Sequence, residues 1–127
     1  MFEKLELIRM AQAMAVHAGA RQAEIARNVA NADTPGFKAR DLPPFTEIYD
    51  SAGDNLRRTR PGHLLQAGAA DGDPVLRQQQ GAAAPNGNTV SLEIEMVKAV
   101  EAGQQHEMAL GIYRSAAGIL RISLGRR

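Results

Sequence analysis

The sequence predicts a mainly α-helical protein, with long N- and C-terminal helices forming a helical hairpin or coiled-coil-like bundle around an irregular, Gly/Pro-rich middle segment. Three observations lead there. Apolar and small residues recur at alternating steps of three and four near both ends of the chain. Five of the six prolines lie between those ends. Aromatic residues are only 4% of the chain and tryptophan is absent, so no large aromatic core competes with helix pairing.

The first 36 residues read as an N-terminal helix and the turn that ends it. Ile8, Ala11, Ala15, Ala18, Gln22, Ile25 and Val29 form a heptad seam with one polar member. Alanine at three of these positions permits close approach between helices. Leu5, Leu7, Met10 and Met14 widen the stripe near its start, and Gly19 is a soft point within it. The helix is expected to run from about Phe2 to Asp33 and to stop at Asn31-Ala32-Asp33-Thr34-Pro35-Gly36. Pro35 has no N–H and pushes Thr34 out of the helical region. Pro followed by Gly suits the two central positions of a type II turn, the second of which needs a positive φ. Asn31 or Asp33 is placed to satisfy the last free backbone groups.

Residues 37–88 are expected to be irregular. Asp71-Gly72-Asp73-Pro74 and the run from Gly81 to Asn88 carry turn and linker chemistry. The apolar patches are short: Phe45, Ile48 and Tyr49, then Val75-Leu76. A short turn or strand is expected between Thr59 and Leu65. Some fifty residues without long periodicity indicate a binding loop or mobile segment.

Residues 89–127 form the C-terminal helix, with Thr89 or Ser91 as N-cap. Glu93 and Glu95 at its start and Arg121, Arg126 and Arg127 at its end complement the helix dipole. Two seams share it. One is Leu110, Tyr113, Ala117, Leu120 and Leu124. The other is Met108, Ile112, Ser115, Ile119 and Ile122. Together they make a face wider than one partner helix covers, which suits contact with several helices. Much of the remaining apolar content is alanine, which favours helix but buries little area. The chain is therefore expected to gain stability from neighbours, with termini that order on assembly.

The net charge of +1 comes from scattered residues rather than a concentrated basic face, which argues against a nucleic-acid binder. With no cysteine, disulfides, thiolate catalysis and cysteine-based metal sites are excluded. Charged residues interrupt the first ten positions, so no secretory signal is expected there, and no segment has the roughly 20 apolar residues of a membrane span.

Catalytic chemistry has no visible residue set. His17, His63 and His106 lack metal-ligand spacing, and His106-Glu107 is not followed by the second histidine of a zinc-binding helix. The carboxylates Asp33 and Asp41, and Glu93 and Glu95, read as capping and turn residues. Ser91, Ser115 and Ser123 sit in no nucleophile motif. The expectation is no enzyme, no metal and no cofactor.

The segment Arg21-Gln22-Ala23-Glu24-Ile25-Ala26-Arg27-Asn28-Val29-Ala30-Asn31-Ala32-Asp33-Thr34-Pro35-Gly36-Phe37-Lys38-Ala39-Arg40-Asp41 resembles the N-terminal signature of the flagellar axial proteins of rod, hook and hook-associated structures. Its ending, from Asn31 to Asp41, is similar to that of the proximal-rod branch. The run from Asn88 to Lys98 resembles the start of the same family's C-terminal helix. Arg27 stands where the family usually has a small polar residue, and Phe37 where tyrosine is commoner.

The resemblance implies a structural subunit at the base of the rod, located in the periplasm and exported by the flagellar type III apparatus without a cleaved signal. It implies self-association and contact with other rod subunits, the adaptor FliE and the inner-membrane ring protein FliF, with the rod transmitting torque. It makes Ile25, Asn28, Val29, Asn31, Asp33, Thr34, Pro35, Gly36, Phe37, Lys38 and Arg40 the assembly motif. The two C-terminal seams become packing surfaces. The other readings are a different rod-family subunit and a helical adaptor outside the flagellum.

Overall fold

The computed structural model describes residues 2–53 and 76–125. Two long helices dominate it: α1, Phe2–Ala30, and α3, Leu92–Ser123. Between them lie β1, Arg40–Asp41, the short helix α2, Phe45–Gly53, and β2, Arg77–Gln78. At ~1.5 Å per residue the long helices span roughly 43 and 48 Å. They pair antiparallel, because Asn28 meets Glu95 while Arg21 meets Glu101. The chain is thus a helical hairpin whose closed end is built by the turns on either side of the middle segment.

The line buried between the helices recurs every seven residues. On α1 it is Ala11, Ala18 and Ile25; on α3 it is Glu95, Ala102, Ala109 and Ala116. A period of seven keeps one narrow stripe facing the partner along the whole length. Alanine on that stripe lets the backbones approach closely, and the site of a Cβ on Gly103 lies 3.7 Å from the Gln22 side chain.

This seam departs from the one expected on α1. Ala11, Ala18 and Ile25 belong to both, but Gln22 and Val29 are exposed. Fully buried Asn28 and half-buried Arg21 take the inward positions instead. The reason is polar: Asn28 and Arg21 have partners on β1 and α3, and those partners set the rotation of the helix. Helix α1 also ends earlier than Asp33 and passes through Gly19 without a break. On α3, the alanine line runs between the two expected seams and leaves them beside it.

The described parts of the middle segment, residues 37–53 and 76–88, carry short elements between their turns. Pro44 caps α2: its carbonyl accepts from the N–H groups of Glu47 and Ile48 at 3.1 and 3.4 Å. The helix stacks through Phe45 on His17 of α1, with ring centroids 5.7 Å apart, and Tyr49 stacks on Phe45 at 5.5 Å. The His17 Nε2–H donates to the Pro43 carbonyl at 2.8 Å, fixing the approach of this segment. Strands β1 and β2 pair antiparallel, Arg40 with Gln78 and Asp41 with Arg77. The short element expected between Thr59 and Leu65, and Val75 of the second apolar patch, lie outside the described residues.

Among the described residues, six of the eight buried apolar residues are alanine; Ile25 and Leu42 are the other two. At ~0.8 kcal/mol per buried methylene-sized group, so small a core leaves the fold dependent on its spacing and its polar contacts. The spacing is testable. Ala109→Leu, at a position with no exposure, is expected to cost ~1–3 kcal/mol by overpacking. Gly111→Ala adds a methyl that meets nothing within 4 Å and is expected to gain ~0.5–1 kcal/mol from helix propensity. Urea unfolding followed by circular dichroism measures both.

Candidate assembly interface

The motif that ends α1 is built around three turns. Thr34-Pro35-Gly36-Phe37 forms a type II pattern: the Phe37 N–H donates to the Thr34 carbonyl at 3.3 Å, and Gly36 has φ 73°. Across from it, Ala84-Pro85-Asn86-Gly87 makes a second turn, closed by Gly87 N–H to Ala84 O at 2.8 Å, with Gly87 at φ 83°. Among the described residues no non-glycine residue has positive φ, so Asn86 follows the type I path and Gly87 takes the left-handed position after it. The two glycines stack: a Cβ on Gly87 would lie 3.4 Å from the Gly36 Cα. The Gly36 N–H donates to the Asn86 carbonyl at 2.9 Å, joining the turns directly. The third turn is made by Asn88, whose side-chain oxygen accepts from the Val90 N–H at 2.7 Å just before α3.

Asn88 also closes the other helix. Its amide nitrogen lies 2.9, 2.8 and 2.9 Å from the carbonyls of Asn31, Ala32 and Thr34. Two protons are shared among three acceptors that the end of α1 leaves without helical partners. Asn31 serves its own helix, donating to the Arg27 carbonyl at 2.8 Å, and accepts from the Thr34 hydroxyl at 3.3 Å.

Below the turns, Asn28 reads the backbone of β1 like a neighbouring strand. It donates to the Arg40 carbonyl at 2.7 Å and accepts from the Arg40 N–H at 3.2 Å. The same amide nitrogen reaches the Glu95 carboxylate at 3.2 Å. Glu95 has no exposed surface. Its other oxygen takes Gln79 Nε2 at 3.3 Å and lies 3.8 Å from Lys98 Nζ. Lys98 continues to Asp41 at 3.5 Å, and Asp41 holds Arg21 at 3.2 Å, whose far nitrogen sits 3.6 Å from Glu101. One connected network therefore joins α1, β1, the residue after β2, and α3. Its two inner carboxylates are matched by Lys98 and Arg21, which is how a buried carboxylate is tolerated.

Where α3 begins, the exposed Glu93 carboxyl is held below its ordinary range by its own backbone N–H and then by the Ser91 hydroxyl. The folded value is depressed, so this aid to the helix start is present above the ordinary carboxylate range and is lost as pH falls through the lowered value.

The residues expected to form an assembly motif divide. Ile25 and Asn28 are buried inside the hairpin. Pro35 and Gly36 shape the turn. Half-buried Phe37 accepts the Thr89 N–H through its carbonyl at 3.0 Å, and Lys38 donates to the Gly87 carbonyl at 3.0 Å. Val29, Asp33 and the Arg40 side chain face outward. On α3, Leu110, Ile112, Ala117 and Leu120 are half-buried, while Met108, Tyr113, Ile119, Ile122 and Leu124 are exposed. Sequence reasoning did not single out Asn88, Gln79 or Lys98 for a role in the clamp. The available signal was faint: Glu95 falls in the same seven-residue series as Ala102, Ala109 and Ala116, which places a carboxylate on the inner face.

A hairpin closed by buried polar contacts at one end, with apolar residues exposed along its outer faces, has the form of a structural component. No family model matches the chain. Its relatives are more specific. It is 28% identical over 130 residues to the flagellar basal body rod protein FlgB of Agrobacterium fabrum, spanning 98% of this chain and 96% of that protein. It is 30% identical over 95 residues to FlgB of Cereibacter sphaeroides, spanning 73% and 74%. It is 28% identical over 125 residues to FlgB of Salmonella typhimurium, spanning 91% of each. The chain belongs to the FlgB family of flagellar basal body rod proteins.

The long-range cap gives a sharp contrast between two asparagines. Asn88→Ala leaves the end of α1 without its donor and is expected to cost ~1–3 kcal/mol. Asn31→Ala, which removes a bond exposed to water, is expected to cost less than ~0.5 kcal/mol. Equal losses in urea titrations would contradict the assignment of Asn88 as the cap.

Proposed function

We propose that the chain is a structural subunit of the proximal rod of the bacterial flagellum, assembling through its two terminal helices. The observation that carries this reading is a hairpin closed from within by polar contacts while apolar side chains on α3 stay exposed, in a chain of the FlgB family. The rod and the basal body are the setting that family membership supplies. The finer assignment is a subunit that connects the inner-membrane ring to the rest of the rod and passes torque along it.

Physical features support that assignment. Two paired helices of more than 40 Å make a stiff unit along their common axis. Residues 1–36 and 89–127 are the assembly helices, and residues 37–88 the excursion between them. Outward Val29, Met108, Tyr113, Ile119, Ile122 and Leu124 are the surfaces offered to neighbours: other rod subunits, FliE and FliF. A core made largely of alanine costs little to open, which suits passage through the flagellar type III export apparatus without a cleaved signal. Among the described residues no helix is long and apolar enough to cross a membrane. The proposed role is non-enzymatic and needs no cofactor.

Two experiments test it. In a strain lacking this gene, swimming is expected to be lost and basal bodies to lack a rod, with both restored by the intact chain. Normal rods without it and without a paralogue would defeat the reading. The turn is tested by Gly36→Val, which forces a β-branched residue to φ near 73°. Export into the medium or periplasm is expected to continue, while incorporation into rods falls by at least about tenfold, a loss equivalent to ~1.4 kcal/mol.

A further inference from the structure

Charge is divided along the outer side of α3. Glu93, Glu101 and Glu107 are its exposed acids and all lie in the first half. From Met108 to Arg127 the sequence has no acid and carries Arg114, Arg121, Arg126 and Arg127. Lys98, the one base among the acids, is committed to Asp41 and Glu95. Glu93, Val100, Glu107, Arg114 and Arg121 fall at seven-residue intervals, so the change of sign occurs along a single line. Arg114, Arg121 and Glu107 have no ion-pair partner among the described residues.

The same outer side is apolar in both halves. Met96, Val97 and Val100 are 66%, 59% and 61% exposed beside the acids; Met108, Ile119 and Ile122 are 56%, 48% and 78% exposed beside the arginines. Exposed apolar surface continuous along a helix marks an interaction site. An open groove of about 360 Å³, lined by Arg21, Glu93, Ile94, Val97, Lys98 and Glu101, opens on the acidic half.

We propose that α3 docks on α3 of a second copy of this chain, parallel and displaced by about half a helix, so that the basic half of one lies on the acidic half of the next. The inference rests on the rod reading and specifies its subunit contact. Three arrangements of two such helices are available. In register, acid meets acid and base meets base. Antiparallel pairing matches the charges but makes a two-fold dimer that closes on itself. Only the displaced parallel arrangement matches charge and leaves a free acidic half and a free basic half for further copies, as an open assembly requires. The displacement is roughly 24 Å at ~1.5 Å per residue. It sets Met108 and Ile112 over Leu92 and Met96, and Ile119 over Gly103 and Gln104.

The chain has no native cysteine, so introduced thiols report this contact directly. Two chains, one carrying Gln104→Cys and the other Ile119→Cys, are expressed together in the deletion strain, and basal bodies from swimming cells are oxidised. A disulfide between the two chains is expected, and neither chain is expected to link to itself. Swimming cells whose rods lack that link, or in which a lone Met108→Cys chain links to itself, overturn the displaced contact while leaving the rod reading intact. If the unaltered chain fails to restore swimming, the rod reading falls and this proposal with it.

Charge reversal gives the second arm. Arg114→Glu/Arg121→Glu and Glu93→Arg/Glu107→Arg change only exposed side chains. Each variant alone is expected to reduce the swimming fraction at least tenfold, and joint expression to recover it, because the acidic face of one meets the basic face of the other. Full swimming with either variant alone, or no recovery on joint expression of chains with unchanged helicity, overturns the proposal.

Discussion

The bond from Asn28 to both β1 and Glu95 is the constraint on which the rest depends. A fully buried asparagine has two amide protons and a carbonyl oxygen to satisfy. Here the Arg40 backbone and the Glu95 carboxylate take them together. That choice fixes three things at once: the rotation of α1 about its axis, the depth at which β1 lies, and the register of α3. Hydrophobic packing does not fix them as tightly, because a stripe of alanines tolerates sliding by a turn. Buried polar groups do not, since a shifted register would leave carboxylates and amides unpaired in a low-dielectric interior.

The clamp also explains how a chain with so little core holds a definite shape. Alanine brings the helices close but contributes little per residue. The cost of misplacing Glu95, Asp41 and their cations supplies the specificity. The best-attested role of buried polar groups is of this kind, setting register rather than adding net stability. The joined turns at Gly36 and Gly87, and the Asn88 amide across the end of α1, work in the same sense. They tie two positions more than fifty residues apart in sequence and close the hairpin at one end only.

The contacts that hold the hairpin are thereby separated in space from its larger exposed side chains. The inward faces carry alanine and the polar network, while the outward faces carry the larger side chains, Met108, Ile119 and Ile122 among them. A subunit built this way registers its own helices while leaving its larger apolar side chains outside the hairpin. The division of charge along α3 belongs to those outer surfaces and plays little part in holding the hairpin together.

By itself, the sequence determined the two long helices, the stop at Pro35-Gly36 and the family. Each follows from local signals: steps of three and four, a residue without an N–H, a glycine required at positive φ, and a contiguous motif. Helix α2 escaped notice because nine residues after Pro43-Pro44 give too short a period, and its cap is a backbone carbonyl of Pro44 rather than a side chain. Which face of each helix turns inward was decided only by the tertiary structure. The sequence offered broad stripes of large apolar residues, and on α1 the expected seam included Gln22 and Val29. The folded chain buried the narrow line of alanines, with Asn28 and Glu95, instead. The reason is that inward rotation was set by polar partners on distant segments, such as Arg40, Gln79 and Lys98. Periodicity within one helix carries no information about them.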